Sequence, residues 1–229
     1  MVGTLFNAAT VIVGASAGLA MGSRWSPALK DKTFVAIGLF TLGIAVMMAM
    51  ETESPIDLFV ALVLGGMVGH RLKLQERLDA LQASVRGASG FVEALMLFCL
   101  GSMTLVGCME DGLMHKPDLL IVKGTMDLIS SAFLAATLGR GVLWSAAGLL
   151  AFQGSLTLAF GWLGTGLDPS TITEFSALGG ILMMGLGLQL LGIQPMGDQR
   201  WPLADLLPAF LLLPLVRWGH LHLLTLFAS

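Results

Sequence analysis

The sequence predicts an all-α, polytopic membrane protein, and three observations support this fold class. Of the 229 residues, 55% are hydrophobic and only 12% are charged, whereas a soluble domain carries about 25% charged residues. Eight apolar segments are candidates for crossing a bilayer core of about 30 Å. The loops between these segments separate basic from acidic residues. We expect residues 1–229 to form a single transmembrane domain, because no polar stretch is long enough for a separate soluble domain.

The eight predicted helices follow one another with short polar connections. They span residues 2–22, 33–50, 55–70, 90–109, 119–138, 141–163, 172–193 and 203–223. The first carries no basic residue before its apolar run, so we interpret it as a retained helix and not a signal peptide. The third is short for a crossing.

Residues 71–88 follow the short third helix and are predicted to form a cytoplasmic amphipathic linker. Leu72, Leu74, Leu78 and Leu81 share one helix face, and charged residues occupy the other. Such a helix is typical of the membrane interface. The alternative is a polar extension of the third helix, which would also lengthen that helix.

The loop charges predict the orientation of the chain in the membrane. Nine of the twelve basic residues fall in alternate loops, namely Arg24, Lys30, Lys32, Arg71, Lys73, Arg77, Arg86, Arg140 and Arg200. Only Lys116 and Arg217 lie on the other side, and Lys123 lies within a predicted helix. Because cytoplasmic loops are enriched in Lys and Arg, both termini are predicted to lie outside the cytoplasm.

A charged and polar stripe crosses the fifth predicted helix. Lys123 and Asp127 are four residues apart, so they share a face and can pair. Ser130 and Ser131 continue the same stripe. An ionisable residue within a bilayer costs about 2.5–3.5 kcal/mol on insertion scales and therefore indicates a functional site. The alternative is a buried ion pair that only sets the register between helices.

Two carboxamides are candidates for the same site. Asn7 on the first helix lies at the predicted level of Lys123, and Gln153 is an isolated polar residue in the sixth helix. A buried carboxamide needs hydrogen-bond partners, which either a ligand or a neighbouring helix can supply. The sequence leaves both alternatives open.

Glycines indicate where helices pack closely or break. Gly14, Gly18 and Gly22 form a small-residue face that suits packing within the chain or in a homodimer. Gly179 and Gly180 are also predicted packing residues and are expected to interrupt the seventh helix, and Pro208 and Pro214 are expected to interrupt the eighth. Kinks packed against neighbouring helices are the alternative.

Two short patterns predict an inverted repeat of helices 2–3 and 7–8. Ala-x-Gly occurs at residues 36–38 and 177–179, and Asp-Leu-x-x-Ala occurs at residues 57–61 and 205–209. An offset of five helices gives the two pairs opposite orientations, as in many secondary transporters. Chance agreement between such short patterns is the alternative.

The function predicted from these features is a secondary transporter for a small ion or solute, with Asp127 responding to a proton or cation. The alternatives are an ion channel and a non-transporting membrane scaffold or sensor. The lipid bilayer is the expected surrounding, and neither a cofactor nor a nucleic-acid partner is predicted. Motifs of nucleotide-binding loops, zinc proteases, serine hydrolases and paired CxxC sites do not occur, so an enzyme is not expected. The sequence leaves a metal site open.

Several stretches resemble a known family over nearly the whole chain. They are the Gly3 to Asn7 spacing, the residues between Asp111 and Asp127, Gln153, and residues 174–180. On these the chain is similar to the bacterial inner-membrane proteins of the YqgA/YdfK type, the family called domain of unknown function 554. The family usually places serine where this chain has Gly124. The resemblance implies a bacterial inner-membrane location and supplies no activity.

Overall fold

The computed structural model is all-helical over the residues that it describes, which are 1–84, 90–99, 102–163, 168–193 and 201–227. The elements are α1 (Val2–Gly22), α2 (Pro27–Ala49), α3 (Pro55–Leu72), α4 (Leu74–Ser84), α5 (Phe91–Cys99), α6 (Ser102–Leu113), α7 (Asp118–Leu138), α8 (Gly141–Leu163), α9 (Pro169–Leu190), a 3-10 turn (Leu203–Leu206) and α10 (Ala209–Phe227). The predicted all-α membrane fold is confirmed.

Two helices begin earlier than their apolar windows because capping residues precede them. Ser26 caps α2, which starts with Pro27 at its first position. Asp168 caps α9 by accepting a hydrogen bond from the Thr171 amide at 3.0 Å, with Pro169 next in sequence. Serine or aspartate followed by proline is a strong helix start, because the side chain satisfies an amide that has no partner within the helix.

Two further differences concern helix breaks. The fourth predicted helix is two segments, α5 and α6, whose axes differ by 64°. The predicted interruption of the seventh helix at Gly179 and Gly180 is wrong, because α9 is continuous. At Gly180 an added Cβ would lie 2.5 Å from the Ala49 amide nitrogen, so this glycine admits the α2 backbone and does not break α9.

The ends of the third and eighth predicted helices are also resolved. Lys73, with φ of 54°, adopts the left-handed conformation and separates α3 from α4, so the linker is a separate helix and not an extension of α3. Residues 85–88 of the predicted linker lie outside the described residues. The eighth helix starts as the 3-10 turn, continues as α10 after Pro208 and contains Pro214.

Six of the described helices are long and apolar enough to cross a membrane: α1, α2, α3, α7, α8 and α9. The number rises to seven if the bent pair α5 and α6 is one span. Eight crossings, with α10 as the last, therefore stays a prediction.

The helices pack as two bundles. The first bundle contains α1, α5, α6, α7 and α8, with α1 against α7 as its most extensive contact; the second contains α2, α3, α9, the 3-10 turn and α10, with α2 against α9 as its most extensive contact. Apolar residues of α5 also pack into the core of the second bundle, so α5 lies between the two.

Close contacts set the relative direction of the helices. Gly3 lies against Leu120 and Gly22 against Ala136, so α1 and α7 are parallel. Gly38 lies against Leu191 while Gly180 lies against Ala49, so α2 and α9 are antiparallel. We call the end of the molecule at which α1 begins the amino end. The C-terminus of α2 and the N-termini of α3, α7 and α9 share it.

Candidate functional site

The charged pair on α7 forms as its spacing predicts. The Lys123 ammonium donates a hydrogen bond to the Asp127 carboxylate, and both residues are 7% exposed. One turn of helix separates them, so their side chains meet on the face that α7 turns toward the rest of the first bundle. Two opposite charges are therefore held together inside the bundle.

The two predicted carboxamides meet beside this pair. The side-chain amide of Asn7 on α1 donates a hydrogen bond to the side-chain oxygen of Gln153 on α8 at 3.3 Å, and neither residue is exposed. Asn7 also packs against Gly124, between Lys123 and Asp127 in sequence. Asn7 Oδ1 and Gln153 Nε2 are buried and make no hydrogen bond. Each unpaired buried atom of this kind costs about 1–3 kcal/mol, so its retention needs a reason. We call Asn7, Lys123, Asp127 and Gln153 the central site.

Small residues let α1 approach α7 closely enough to build the central site. At Gly124 an added Cβ would lie 2.9 Å from Phe6 Cδ1 and 3.2 Å from Asn7 Cα. A serine here would have to displace Phe6. Glycine at this position therefore brings Asn7 next to the turn that carries the charged pair.

The glycine face of α1 lies against α7 of the same chain. A Cβ at Gly14 would overlap the Leu128 carbonyl and the Ser131 hydroxyl, and one at Gly18 would overlap the Ala132 carbonyl. Gly22 continues the face against Ala136. This face is occupied within the chain and is not open to a second copy.

The two predicted serines do not join the central site in the same way. Ser131 is buried, donates to the Leu128 carbonyl at 3.0 Å and contacts Gly14, so it belongs to the α1–α7 packing. Ser130 is half-buried on the same helix. The structure thus brings together four of the six predicted binding residues.

Polar contacts extend from the central site toward the amino end. The Thr4 and Thr157 hydroxyls are 3.1 Å apart, one turn from Asn7 and Gln153. Beyond them, the buried Asp111 carboxylate accepts from the Gly3 amide at 3.1 Å. A line of buried polar groups therefore connects the central site to this end of the first bundle.

The break between α5 and α6 lies next to the central site. Cys99, the last residue of α5, is buried in the core of the first bundle, which also contains Ala8, the residue after Asn7. The Thr104 hydroxyl of α6 donates to the Phe98 carbonyl at 3.1 Å, which satisfies a carbonyl that the end of α5 leaves free.

A second buried polar cluster, which the sequence analysis did not predict, lies at the amino end of the second bundle. Glu174 of α9 is 0% exposed and accepts from the Thr52 hydroxyl at 2.7 Å, the Glu53 amide at 2.7 Å and the Ser54 amide at 2.8 Å. The Arg217 guanidinium of α10 lies 3.5 Å from the same carboxylate. Glu174 thus joins α9 to α10 and to the α2–α3 loop.

Further contacts surround Glu174. The Ser176 hydroxyl donates to Glu51 at 2.8 Å, and His220 pairs with the buried Asp57 at 2.7 Å. The predicted seventh helix, residues 172–193, already contains residue 174, but no pattern in the sequence indicates that this glutamate is buried.

Asp168 lies exposed at the start of α9, outside the membrane-spanning segment. Hydrogen bonds from the Ser170 and Thr171 hydroxyls, joined by the Thr171 amide, lower the pKa of Asp168 to about 2. The carboxylate is therefore charged, and caps α9, at any pH well above 2.

A pocket lies between the bundles at the end opposite the amino end. At this pocket the buried Glu93 carboxylate accepts a hydrogen bond from the side-chain amide of Gln189 at 3.4 Å. Its lining residues are Gln75, Asp79, Val92, Glu93, Met96, Leu186, Gln189, Trp201 and Leu203. Residues of α4, α5, α9 and the 3-10 turn region thus meet here.

Buried charges within a bundle of apolar helices define a polytopic membrane protein with a polar site inside its membrane-spanning region. The chain belongs to the family described as Protein of unknown function (DUF554), whose profile matches residues 2–218.

Two curated relatives cover nearly the whole chain. The chain is 29% identical over 223 residues to "Uncharacterized membrane protein YdfK" of Bacillus subtilis (strain 168), with 94% of this chain and 95% of the relative covered. It is 26% identical over 226 residues to "Uncharacterized protein YqgA" of Escherichia coli (strain K12), with 93% and 94% covered. No solved structure matches the chain. The family resemblance is confirmed.

Proposed function

We propose that the chain is a secondary transporter for a small ion or solute in the bacterial inner membrane, with both termini outside the cytoplasm. The observation that carries this proposal is the pair of unsatisfied buried atoms, Asn7 Oδ1 and Gln153 Nε2, beside the Lys123–Asp127 ion pair. A purely structural polar contact is expected to satisfy its own atoms. Unpaired donors and acceptors next to opposite charges are what a transient ligand would complete.

The ion pair itself supports a functional role. Buried ion pairs add little stability compared with apolar residues of the same volume, because removing two charges from water is costly. In a bilayer such groups mark ion or solute pathways. Lys123 is the internal counter-ion of Asp127 when the site is empty, and ligand binding changes which partner Asp127 has.

The helix arrangement supports alternating access. In secondary transporters, discontinuous helices end at a site near the bilayer midplane, and two repeats or bundles move against each other around it. Here α5 ends at Cys99, which shares a core cluster with Ala8 next to Asn7, and α5 also packs between the two bundles. Movement of the second bundle relative to the first would expose the site toward one end or the other.

An inverted repeat is part of the proposal, and contacts of two aspartates support it. Asp57, near the start of α3, pairs with His220 in the second half of α10. Asp205, just before α10, accepts from the backbone amide of Gln75, at the start of α4, at 2.9 Å. Each aspartate comes from one of the two Asp-Leu-x-x-Ala patterns and contacts a residue that follows the other pattern in sequence. Reciprocal contacts are what an internal two-fold relation between helices 2–3 and 7–8 would produce.

The test is flux in proteoliposomes that contain a pH-sensitive dye. A panel of monovalent and divalent ions and small organic solutes is offered to the native protein, to Asp127→Asn and to Asp118→Asn. Asp118 is the matched control, because it is an exposed carboxylate on the same helix. Native flux should saturate and respond to a pH gradient, Asp118→Asn should behave like the native protein, and Asp127→Asn should lose the response.

Other results would favour the other functions. Equal flux by native protein and Asp127→Asn at every pH would remove Asp127 from the mechanism. Currents that increase linearly with concentration would indicate a channel. Native protein that passes no member of the panel would favour the scaffold or sensor.

A further inference from the structure

The polar atoms of the central site form two chemically opposite sets. Lys123 Nζ and Gln153 Nε2 are hydrogen-bond donors, and the first carries a positive charge. The Asp127 carboxylate and Asn7 Oδ1 are acceptors, and the first carries a negative charge. Gln153 Nε2 and Asn7 Oδ1 have no partner of their own. The site therefore offers one charged and one neutral group of each kind.

We infer that the central site binds a small zwitterion, a molecule whose ammonium and carboxylate groups are joined by one or two carbon atoms. This inference rests on the proposed transport function and names its substrate class. The carboxylate of the solute faces Lys123 and Gln153, and its ammonium faces Asp127 and Asn7. In the empty site the Lys123–Asp127 pair holds the same two charges against each other.

Charge balance selects a zwitterion over ions of a single charge. Lys123 and Asp127 are both 7% exposed and form an ion pair, so the two charges are shielded from solvent and sum to zero. A cation bound to Asp127 would leave the Lys123 ammonium without a counter-ion, and an anion bound to Lys123 would strand Asp127. A buried charge that loses its partner is strongly destabilising. A zwitterion replaces the internal pair with two external ones and leaves the site neutral.

The surroundings of the central site limit the size of the solute. Asn7 and Gln153 are fully buried, and the neighbouring Thr4 and Thr157 are at most 2% exposed. Phe6 and Asn7 already crowd the backbone at Gly124. Glycine, the smallest amino acid, is therefore the appropriate probe.

The experiment compares glycine with three solutes of similar size that each lack part of it. Acetate lacks the ammonium, methylammonium lacks the carboxylate, and acetamide has neither charge. Uptake into proteoliposomes and thermal stabilisation in detergent are measured for all four. The native protein should take up glycine, and its apparent affinity for each ion of a single charge should be weaker by about 30-fold or more, as expected when one partner of a buried charge pair is missing.

Reciprocal variants test the assignment of each group. Asp127→Asn leaves Lys123 as the only charge, so the preference should change from glycine to acetate. Lys123→Gln leaves Asp127, so methylammonium should become the preferred solute. The double variant Lys123→Gln with Asp127→Asn is neutral, which guards against loss of folding, and should prefer acetamide. Asp118→Asn should keep the native order.

Several results would overturn the zwitterion class. Native protein that prefers acetate, methylammonium or acetamide to glycine contradicts it and leaves transport standing. Binding of none of the four also contradicts it, because glycine is the smallest member of the class. Variants that keep the native order of preference would show that Lys123 and Asp127 do not contact the solute charges. Failure of transport itself is recognised separately, as absence of flux across the full ion and solute panel.

Discussion

Glu174→Gln tests whether the buried Glu174 carboxylate stabilises the α2–α3 loop at the amino end of the second bundle. Glu174 is 0% exposed and accepts three hydrogen bonds from the α2–α3 loop. Glutamine keeps the shape of the side chain but removes its charge and presents an NH2 group to donors. The substitution should therefore loosen the loop without creating a cavity.

The magnitude follows from the hydrogen bonds. A bond to a charged group contributes about 1.5–3 kcal/mol and a neutral bond about 0.5–1.5 kcal/mol. Loss of the charge over three bonds gives about 3–5 kcal/mol, and the Arg217 guanidinium 3.5 Å away also loses its counter-ion. For a chain of this size each kcal/mol lowers the melting temperature by about 2–4 °C. The expected fall is about 6–20 °C.

The assay is thermal unfolding in detergent, with Glu53→Gln as the control. Glu53 lies in the same loop and its side chain is exposed, so the same charge change should alter stability by less than about 0.5 kcal/mol. A melting temperature for Glu174→Gln equal to that of Glu53→Gln would refute the reasoning, because the Glu174 carboxylate would then not hold the loop.

Three further predictions concern orientation, pairing and capping. Cysteines at Glu53 and Asp168 should react with an impermeant thiol reagent added outside intact cells, and one at Arg77 should not; labelling at position 77 would reverse the orientation. Asp127→Asn should cost about 3–5 kcal/mol by stranding Lys123, and Lys123→Met with Asp127→Leu should recover much of it in thermal melts; a double variant no more stable than the worse single one would mean that the pair does not form. The folded pKa of Asp168, about 2, lies below its ordinary value of 3.8, so its capping stabilises α9 above pH 3.8 and is lost as pH falls through 2. Asp168→Asn should retain the cap and remove that part of the pH dependence of unfolding; an unchanged acid profile would contradict this.

Much of the helical framework could be predicted from the sequence, because the length of each apolar segment is enough to locate a helix. The first and sixth predicted helices match α1 and α8 at both ends. The charged pair could also be predicted, because four-residue spacing within one helix is local information. Local patterns were thus sufficient wherever a feature depends on one element.

Features that depend on two elements were harder to predict. Apolar composition does not specify which helices touch, so the sequence names Asn7 and Gln153 as candidates for one site but does not predict that they contact each other. The break between α5 and α6 interrupts a continuous apolar run, and periodicity does not detect it. The burial of Glu174 could not be predicted, because it depends on partners from the α2–α3 loop and α10, which are distant in sequence.

Solute counterflow in proteoliposomes is the measurement that tests the central claim most directly. Vesicles are loaded with an unlabelled solute that the native protein takes up, and a trace of that solute in labelled form is added outside. Vesicles with native protein, Asp127→Asn and Asp118→Asn are compared. If the central site alternates between the two sides of the membrane, native protein and Asp118→Asn should accumulate label transiently above equilibrium, and Asp127→Asn should not. Equal accumulation by all three, or label that only equilibrates with the native protein, would contradict a carrier built on Asp127.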